Sequence, residues 1–464
     1  MKRSTTMLQG PLWSSLITYT IPIILTSILQ LLFNAADLVI VGRFSGSINV
    51  AAVSATGAIT NLIVNLFIGL SIGAGVTVAH ALGGNQSTEV QHTVHTALPM
   101  AIIGGFVLSI VGVLFSESFL IMMKTPEDVL PLSAKYMRIY FCGMTFTMVY
   151  NFCASILRAA GDTKSPLIFL TLAGIINVIL NIFFVTVLHM TVDGVALATI
   201  ISQAISAVLV VIALMRRTDA CQLSLNKMQF YKRPFMKIIR IGLPAGIQSS
   251  MFAISNVIVQ SSINSFNSEA LMSGNGAASN IESFVFVLMN SFHQTAVNFI
   301  GQNMGAHQYS RIKKIFSLCL LYVSIAGFAA GFAVWHWGET LLGIYITDSQ
   351  EAIQCGLIRF NYIALPYFVC GLMDVSTGSL RGLGASFTPM LLSILGVCGI
   401  RIIWIYTIFQ IPQFHTPEWL YISYLISWFA TFVFQTTAFV SIFKKRVRAD
   451  SLIVRMPEFK GEIV

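Results

Sequence analysis

The first apolar segment of the chain contains one acid and two amides that could together hold an ion. Gln30, Asn34 and Asp37 are four and three residues apart, so a helix would place them on one face. A charge in an apolar membrane segment costs about 2.5–3.5 kcal/mol on insertion scales, and such residues are functional candidates. We expect Asp37 to bind a proton, or Na⁺ with neighbouring amide oxygens. The alternative is a structural carboxyl group satisfied by Asn or Ser neighbours.

Two further polar pairs lie in the same half of the chain. Asn177 and Asn181 are four residues apart and share a helical face, as do Thr199 and Gln203. These side chains could contribute to an ion site, but buried amides can also simply hold helices together. Both interpretations stay open.

The C-terminal half contains two acids within apolar segments, Glu282 and Asp374. Each is a candidate for a substrate or coupling role, and Glu282 is expected to be partly exposed because it lies near the predicted start of its helix. The other polar candidates in this half are Gln248, Asn256, Asn290 and Gln294, the last two forming a stripe with Asn298. Arg138, Arg359 and Arg401 either neutralise such acids or extend to an interface.

Motifs for metalloenzymes and nucleotide-driven pumps are absent from the sequence. It contains no HExxH, CxxC or P-loop pattern, and its seven cysteines lack zinc spacing. We therefore expect no enzyme activity, no cofactor other than H⁺ or Na⁺ as a coupling ion, and no metal beyond a possible Na⁺ near Asp37.

The composition places these residues in a membrane protein. Of the 464 residues, 56% are hydrophobic and only 10% are charged, which excludes disorder and ordinary soluble domains. Apolar runs bounded by Gly, Pro and charge predict twelve membrane-spanning helices in an all-α protein. They lie near 14–43, 52–81, 93–123, 130–158, 167–189, 193–216, 236–265, 273–304, 312–346, 352–382, 387–410 and 418–445.

The basic residues predict the orientation. With an inner N-terminus, all but six of the 27 Lys and Arg, including Lys2, Arg3, Arg381 and Lys460, lie in inner loops or tails. The six are Arg43, Lys124, Lys135, Arg138, Arg359 and Arg401. Both termini are therefore expected to be cytoplasmic, and the net charge of +9 reflects topology and attraction to anionic lipid rather than nucleic acid.

The chain is also an internal repeat. A shift of 222 residues aligns Pro22 with Pro244, Asn34 with Asn256 and Gly83 with Gly305. Six crossings per copy give two parallel repeats, a pattern common in transporters. We expect an N-terminal lobe at 1–216, a cytoplasmic linker at 217–235, and a C-terminal lobe with a short tail at 236–464.

Five segments in order carry a resemblance to the multidrug and toxic compound extrusion (MATE) family. They are 34–43, 157–166, 177–181, 198–203 and 301–306. The resemblance implies a V-shaped, two-lobe bacterial exporter of organic cations. It also implies an ion site at the positions matching Gln30, Asp37, Tyr140, Asn177, Asn181 and Thr199. Many members carry Asp where this chain has Asn181, which leaves the coupling ion open, with a preference for H⁺.

The resulting expectation is a monomeric antiporter of the bacterial inner or plasma membrane. Driven by H⁺ or Na⁺, it would export amphipathic, often cationic small molecules by alternating access. Two alternatives remain: a flippase for lipid-linked precursors, and a non-transporting membrane scaffold or sensor. Convergence of Arg138, Arg359 and Arg401 on the central cleft would favour the flippase.

Overall fold

The computed structural model describes residues 5–123, 125–347 and 349–455, and these are almost entirely helical. Lys2, Arg3, Lys124 and Lys460, which count in the charge bias, lie outside the described residues. The N-terminal half contains α1 (Thr5–Leu8), α2 (Leu12–Ser45), α3 (Ser47–Gly83), α4 (Ser87–Met122), α5 (Leu130–Cys142), α6 (Met144–Ala159), α7 (Lys164–Thr186) and α8 (Val192–Met215). The C-terminal half contains α9 (Lys232–Asn264), α10 (Glu269–Gly305), α11 (Tyr309–His336), α12 (Gly338–Tyr345), α13 (Gln350–Ile363), α14 (Tyr367–Gly382), α15 (Phe387–Ser393), α16 (Ile400–Tyr406) and α17 (Pro417–Arg455).

Eleven of the twelve expected crossings correspond to helices or bent helix pairs that could span a membrane. Over the described ranges, nine helical segments are long and apolar enough to span a membrane, and the bent pairs α5–α6 and α13–α14 add two more. The remaining long helix, α10, has 37 residues, about 55 Å at 1.5 Å per residue, and contains no stretch as apolar as those in the other spans. This helix corresponds to the predicted eighth crossing and carries the polar residues expected there.

Four predicted helices are interrupted. The fourth bends by 47° at Gly143, and the tenth bends by 52° just before Pro366, which has no N–H to continue the helix. At Gly143 a Cβ would lie 2.6 Å from Ile200 Cγ1, so this close approach of α8 requires glycine. The ninth segment is divided at Trp337, and the eleventh contains a π-helix, Ile394–Gly399.

Each half has its own hydrophobic core. Leu98, Met137 and Phe152 belong to the N-terminal core, and Phe360 and Tyr421 belong to the C-terminal one. The beginning of α2 packs into the C-terminal core through Leu16, Tyr19 and Ile23. Large apolar side chains remain exposed around the outside, as expected for a surface that faces lipid rather than water.

The two lobes meet where α3 packs against α9 and α10. A Cβ at Gly69 would lie 2.2 Å from the backbone nitrogen of Gly246, so the helices touch backbone to backbone. Further along, Gly83 and Gly305 bring α3 and α10 equally close. This end also contains the 217–231 linker and many of the Lys and Arg residues, and is called the basic end below; the other is the far end.

The linker lies against the N-terminal lobe. His95 of α4 accepts a hydrogen bond at Nε2 from the Ser224 backbone (3.1 Å), and the Thr96 hydroxyl accepts one from the Tyr231 N–H (3.1 Å). The ring of Tyr231 stacks on His92 at 3.8 Å. The segment between the two repeats is therefore fixed to one of them up to the start of α9.

Candidate functional site

Asp37 is held by an amide from another helix. Asn181 Nδ2 of α7 donates to Asp37 Oδ1 (2.5 Å) and to Asn177 Oδ1 (3.2 Å). Thr199 of α8 lies beside the same carboxyl group. Asn181 is completely buried, and its Oδ1 atom has no hydrogen-bond partner among the described residues. Three helices thus bring one carboxyl group and several neutral polar groups together.

The other residues expected at this site differ in their burial and in their contacts. Tyr140 is half-buried and stacks on Tyr136 of α5 at 6.0 Å, near Asp37. Gln30 and Asn34 are exposed side chains of α2 and make no hydrogen bond to the described residues, although they share a helix with Asp37. Gln203 is half-buried, one turn beyond Thr199.

This arrangement suits the binding and release of one small cation. Asp37 supplies the negative charge, and the unpartnered Asn181 oxygen is a free acceptor. A proton on Asp37 would remove the charge from a half-buried place without further ligands, whereas Na⁺ would need several oxygen atoms. Among the described residues no group of three His, Cys, Asp or Glu could hold a metal ion.

A second polar cluster, called the arginine core here, lies within the C-terminal lobe. Arg381 Nη2 donates to Gln248 Oε1 (2.8 Å), and Arg381 Nη1 lies 3.2 Å from His293 Nε2. His293 Nδ1 is 2.8 Å from the backbone oxygen of Asp374. The Asp374 carboxyl is buried, with one oxygen lacking a partner among the described residues. Two sequence candidates, Gln248 and Asp374, therefore share a buried cluster.

Arg381 and His293 of the arginine core were not predicted. The sequence placed Arg381 in an inner loop, which is wrong: it is buried in the last turn of α14. The signal was present in the repeat, because a shift of 223 residues, one more than in the earlier part of the alignment, places Arg381 on Arg158. Arg158 also lies at the end of a helix and reaches inward. Arg158 Nη1 donates to Gln294 Oε1 across the lobes (2.9 Å).

Glu282 is in a buried ion pair, so the expectation of partial exposure is wrong. Arg359 donates through Nε to Glu282 Oε1 (3.0 Å) and through Nη2 to Oε2 (2.6 Å). Arg359 Nη1 also donates to Asn275 (2.7 Å), which accepts from Tyr421 as well (3.2 Å). The reason is helix length: α10 begins at Glu269, more than three turns earlier, so Glu282 lies deep in the lobe.

Of the remaining C-terminal candidates, two lie at the interface between the lobes and one lies at the protein surface. Asn290 accepts a hydrogen bond from Gln294 (3.1 Å), which places both on the α10 face that meets Arg158. Asn256 of α9 is exposed and makes no hydrogen bond to the described residues.

The three arginines that would favour a flippase do not converge. Arg138 is exposed and pairs with Glu117 (2.7 Å). Arg359 is neutralised by Glu282, and Arg401 stacks on Tyr424 with its guanidinium 3.9 Å from the ring centroid. Their positive charges are not directed together into one central cavity.

The repeated helical halves, the apolar outer surface and the half-buried acid held between helices define a multi-pass membrane protein of transporter type. The MatE family profile matches the chain twice, at residues 22–183 and 244–407, which repeats the 222-residue separation of the internal alignment. The chain belongs to this family of multidrug efflux transporters.

Curated relatives and solved structures agree with this assignment. The probable multidrug resistance protein YpnP of Bacillus subtilis is 28% identical over 399 residues, covering 85% of this chain and 87% of the relative. YoeA of the same organism, also a probable multidrug resistance protein, is 25% identical over 401 residues, covering 84% and 85%. The fold matches an outward-facing multidrug resistance MATE transporter with a TM-score of 0.87 at 17% identity, over 96% of this chain and 99% of the other.

Proposed function

We propose that this protein is a proton-coupled antiporter that exports amphipathic, often cationic organic compounds. The observation that carries the proposal is the lone Asp37 carboxyl group, held by Asn181 inside a two-lobe repeat. The names of the relatives YpnP and YoeA, both probable multidrug resistance proteins, support the substrate class.

The proposed cycle uses the charge of Asp37 as a switch. A proton entering from outside neutralises the carboxylate and weakens its charge-assisted hydrogen bond with Asn181. The first helix or its lobe then shifts, the affinity for the organic cation falls, and the cation leaves outward. The ion and the substrate need not share a site, because coupling requires only that each favours a different conformation.

The neighbours of Asp37 favour H⁺ over Na⁺ in this proposal. Asp37 is the single acid of the cluster in the described residues, and Asn181 presents an N–H donor to it. A tight Na⁺ site would instead surround the ion with oxygen atoms.

The proposed membrane is the inner or plasma membrane of a bacterium, with both termini in the cytoplasm. Supporting this orientation, the basic end carries the linker together with Arg311, Lys313 and Lys314. Cytoplasmic loops are the usual place for such an excess of Lys and Arg.

The coupling ion is tested by imposing each gradient separately. The purified chain is reconstituted in vesicles, and transport of a panel of fluorescent organic cations is followed. Movement driven by a pH gradient and indifferent to Na⁺ supports the proposal. Movement that requires a Na⁺ gradient contradicts H⁺ coupling, and no gradient-driven movement of any cation contradicts the antiporter.

A further inference from the structure

An open groove of about 1030 Å³ lies at the basic end between the starts of α2 and α11. Its lining includes Trp13 from α2 and Tyr309, Arg311, Lys313 and Lys314 from α11. The two helices belong to different halves of the repeat. The site near Asp37 lies toward the other end of α2, so this groove is a separate feature.

The floor of the groove is positively charged. The Arg311 guanidinium is held there by backbone oxygens of the α1–α2 turn. Its Nη1 atom donates a hydrogen bond to the backbone oxygen of Gly10 (3.0 Å). Lys313 and Lys314 are exposed beside it. The acid at the rim, Asp450, already accepts hydrogen bonds from His307 and Tyr309. The groove therefore presents an excess of positive charge.

Further along α2 and α11, away from the basic end, the two helices carry exposed apolar side chains. On α2 Trp13, Ile17, Ile21 and Leu25 follow at intervals of four residues and are each 43–58% exposed. On α11 Leu321, Ile325 and Phe328 are exposed in the same way. The α2 stripe extends about 18 Å at 1.5 Å per residue, comparable to one leaflet of the hydrocarbon core.

The helices touch where the charged and apolar parts meet. The rings of Trp13 and Tyr322 are 6.0 Å apart, and the Tyr322 hydroxyl donates to the Trp13 backbone oxygen (3.4 Å). Trp and Tyr are typical of the membrane interface, where one part of the side chain is wet and the other is apolar. The groove thus has its charged part at headgroup level and its apolar part at acyl-chain level.

We propose that this groove binds an anionic glycerophospholipid. Its phosphate contacts Arg311, Lys313 and Lys314, and its acyl chains lie along the α2 and α11 stripes. A soluble anion would use the basic floor but leave the stripes unexplained. The start of α2 already packs into the C-terminal core, so the bound lipid would cover the seam between the two halves of the chain at the basic end.

The test measures lipid retained by the purified full-length chain in native mass spectrometry, with phosphatidylglycerol and phosphatidylcholine of identical chains. The variant is Lys313→Gln/Lys314→Gln. The control is Lys232→Gln/Arg233→Gln, which removes the same charge from exposed positions at the start of α9. A basic residue at an anionic surface contributes about five-fold in binding, so the groove variant should bind phosphatidylglycerol roughly 30-fold more weakly. The control should stay within about two-fold of the parent chain.

Three outcomes would overturn the proposal. The first is equal loss in both double variants, and the second is equal retention of the two lipids by the parent chain. The third is displacement of phosphatidylglycerol by inorganic phosphate, which would indicate a soluble-anion site. An independent check is quenching of Trp fluorescence by phosphatidylglycerol with brominated chains. Trp13→Phe should remove part of the quenching, and unchanged quenching would place the lipid elsewhere.

Discussion

His80 and Gln302 make equivalent hydrogen bonds across the lobe interface from equivalent positions of the repeat. His80 Nε2 of α3 donates to the backbone oxygen of Gly382 at the end of α14 (2.7 Å). Gln302 Nε2 of α10 donates to that of Ala159 at the end of α6 (2.6 Å). The two donors are 222 residues apart, as are Gly83 and Gly305 beside them. Each lobe therefore satisfies a helix end of the other, and the two bonds join the lobes at the basic end.

Removing this reciprocal pair should loosen the basic end. A hydrogen bond contributes about 0.5–1.5 kcal/mol net. His80→Ala or Gln302→Ala should therefore each raise the population in which the lobes are separated at the basic end about five-fold. The rate of amide hydrogen exchange in the last turns of α3 and α10 measures this population. His80→Gln, which copies the equivalent residue, is the control and should stay close to the parent. Unchanged exchange in the double Ala variant would show that the bonds do not hold the interface.

The contact between α3 and α9 should not tolerate a side chain at Gly69. Its Cβ would meet the Gly246 backbone nitrogen at 2.2 Å, and backbone cannot move aside as a flexible side chain can. Overpacking of this kind costs about 1–3 kcal/mol, so Gly69→Ala should lower the thermal midpoint in detergent. Gly57→Ala in the same helix, with nothing within 4 Å, is the control and should leave the midpoint unchanged or higher. Equal midpoints for both variants would argue against close packing at Gly69.

The Glu282–Arg359 pair should behave as a structural ion pair. Removing one partner of a buried pair leaves an uncompensated charge and costs about 3–5 kcal/mol. Glu282→Gln and Arg359→Met should each destabilise the protein strongly, and the double variant should lose less than the sum. Glu339→Gln, at an exposed acid, is the control. A stable Glu282→Gln protein that has lost only coupling would instead assign Glu282 to the ion pathway.

The linker should loosen in acid through Asp219. Burial raises the pKa of Asp219, but hydrogen bonds and charge from Arg217 and the Cys221 N–H outweigh it, so the pKa is lowered overall. The stabilisation is therefore fully present above the ordinary Asp pKa and is lost as the pH falls through the lower folded value. The difference in thermal midpoint between the parent and Asp219→Asn should be constant near neutral pH and shrink below about pH 4. A difference that grows in acid would contradict this sign.

Hydropathy and the repeat were sufficient to predict the helices but not their interruptions. Twelve apolar runs define twelve crossings because the hydrocarbon core requires a fixed length of helix. The break at Gly143 depends on Ile200 of α8, which is distant in sequence, so no local pattern reveals it. Pro366 could have predicted the bend before α14.

The site was predicted by residue type, whereas its pairings required the fold. Asp37 and Asn181 were both candidates, yet only the packing of α2 on α7 brings the amide to the carboxyl group. Glu282 and Arg359 were both noticed, but their pairing depends on α10 and α13 lying side by side. The lobe interface at His80 was missed because a histidine near a helix end has no distinctive spacing.

The most direct test of the central claim is ion-driven export by Asp37→Asn in reconstituted vesicles. The variant keeps the shape of the side chain but cannot change its charge. In this variant, pH-driven export of organic cations should fall to the level of protein-free vesicles, while Glu117→Gln, at an exposed acid of the same lobe, should retain the parent rate. Full pH-driven export by Asp37→Asn would show that Asp37 does not couple the proton to export.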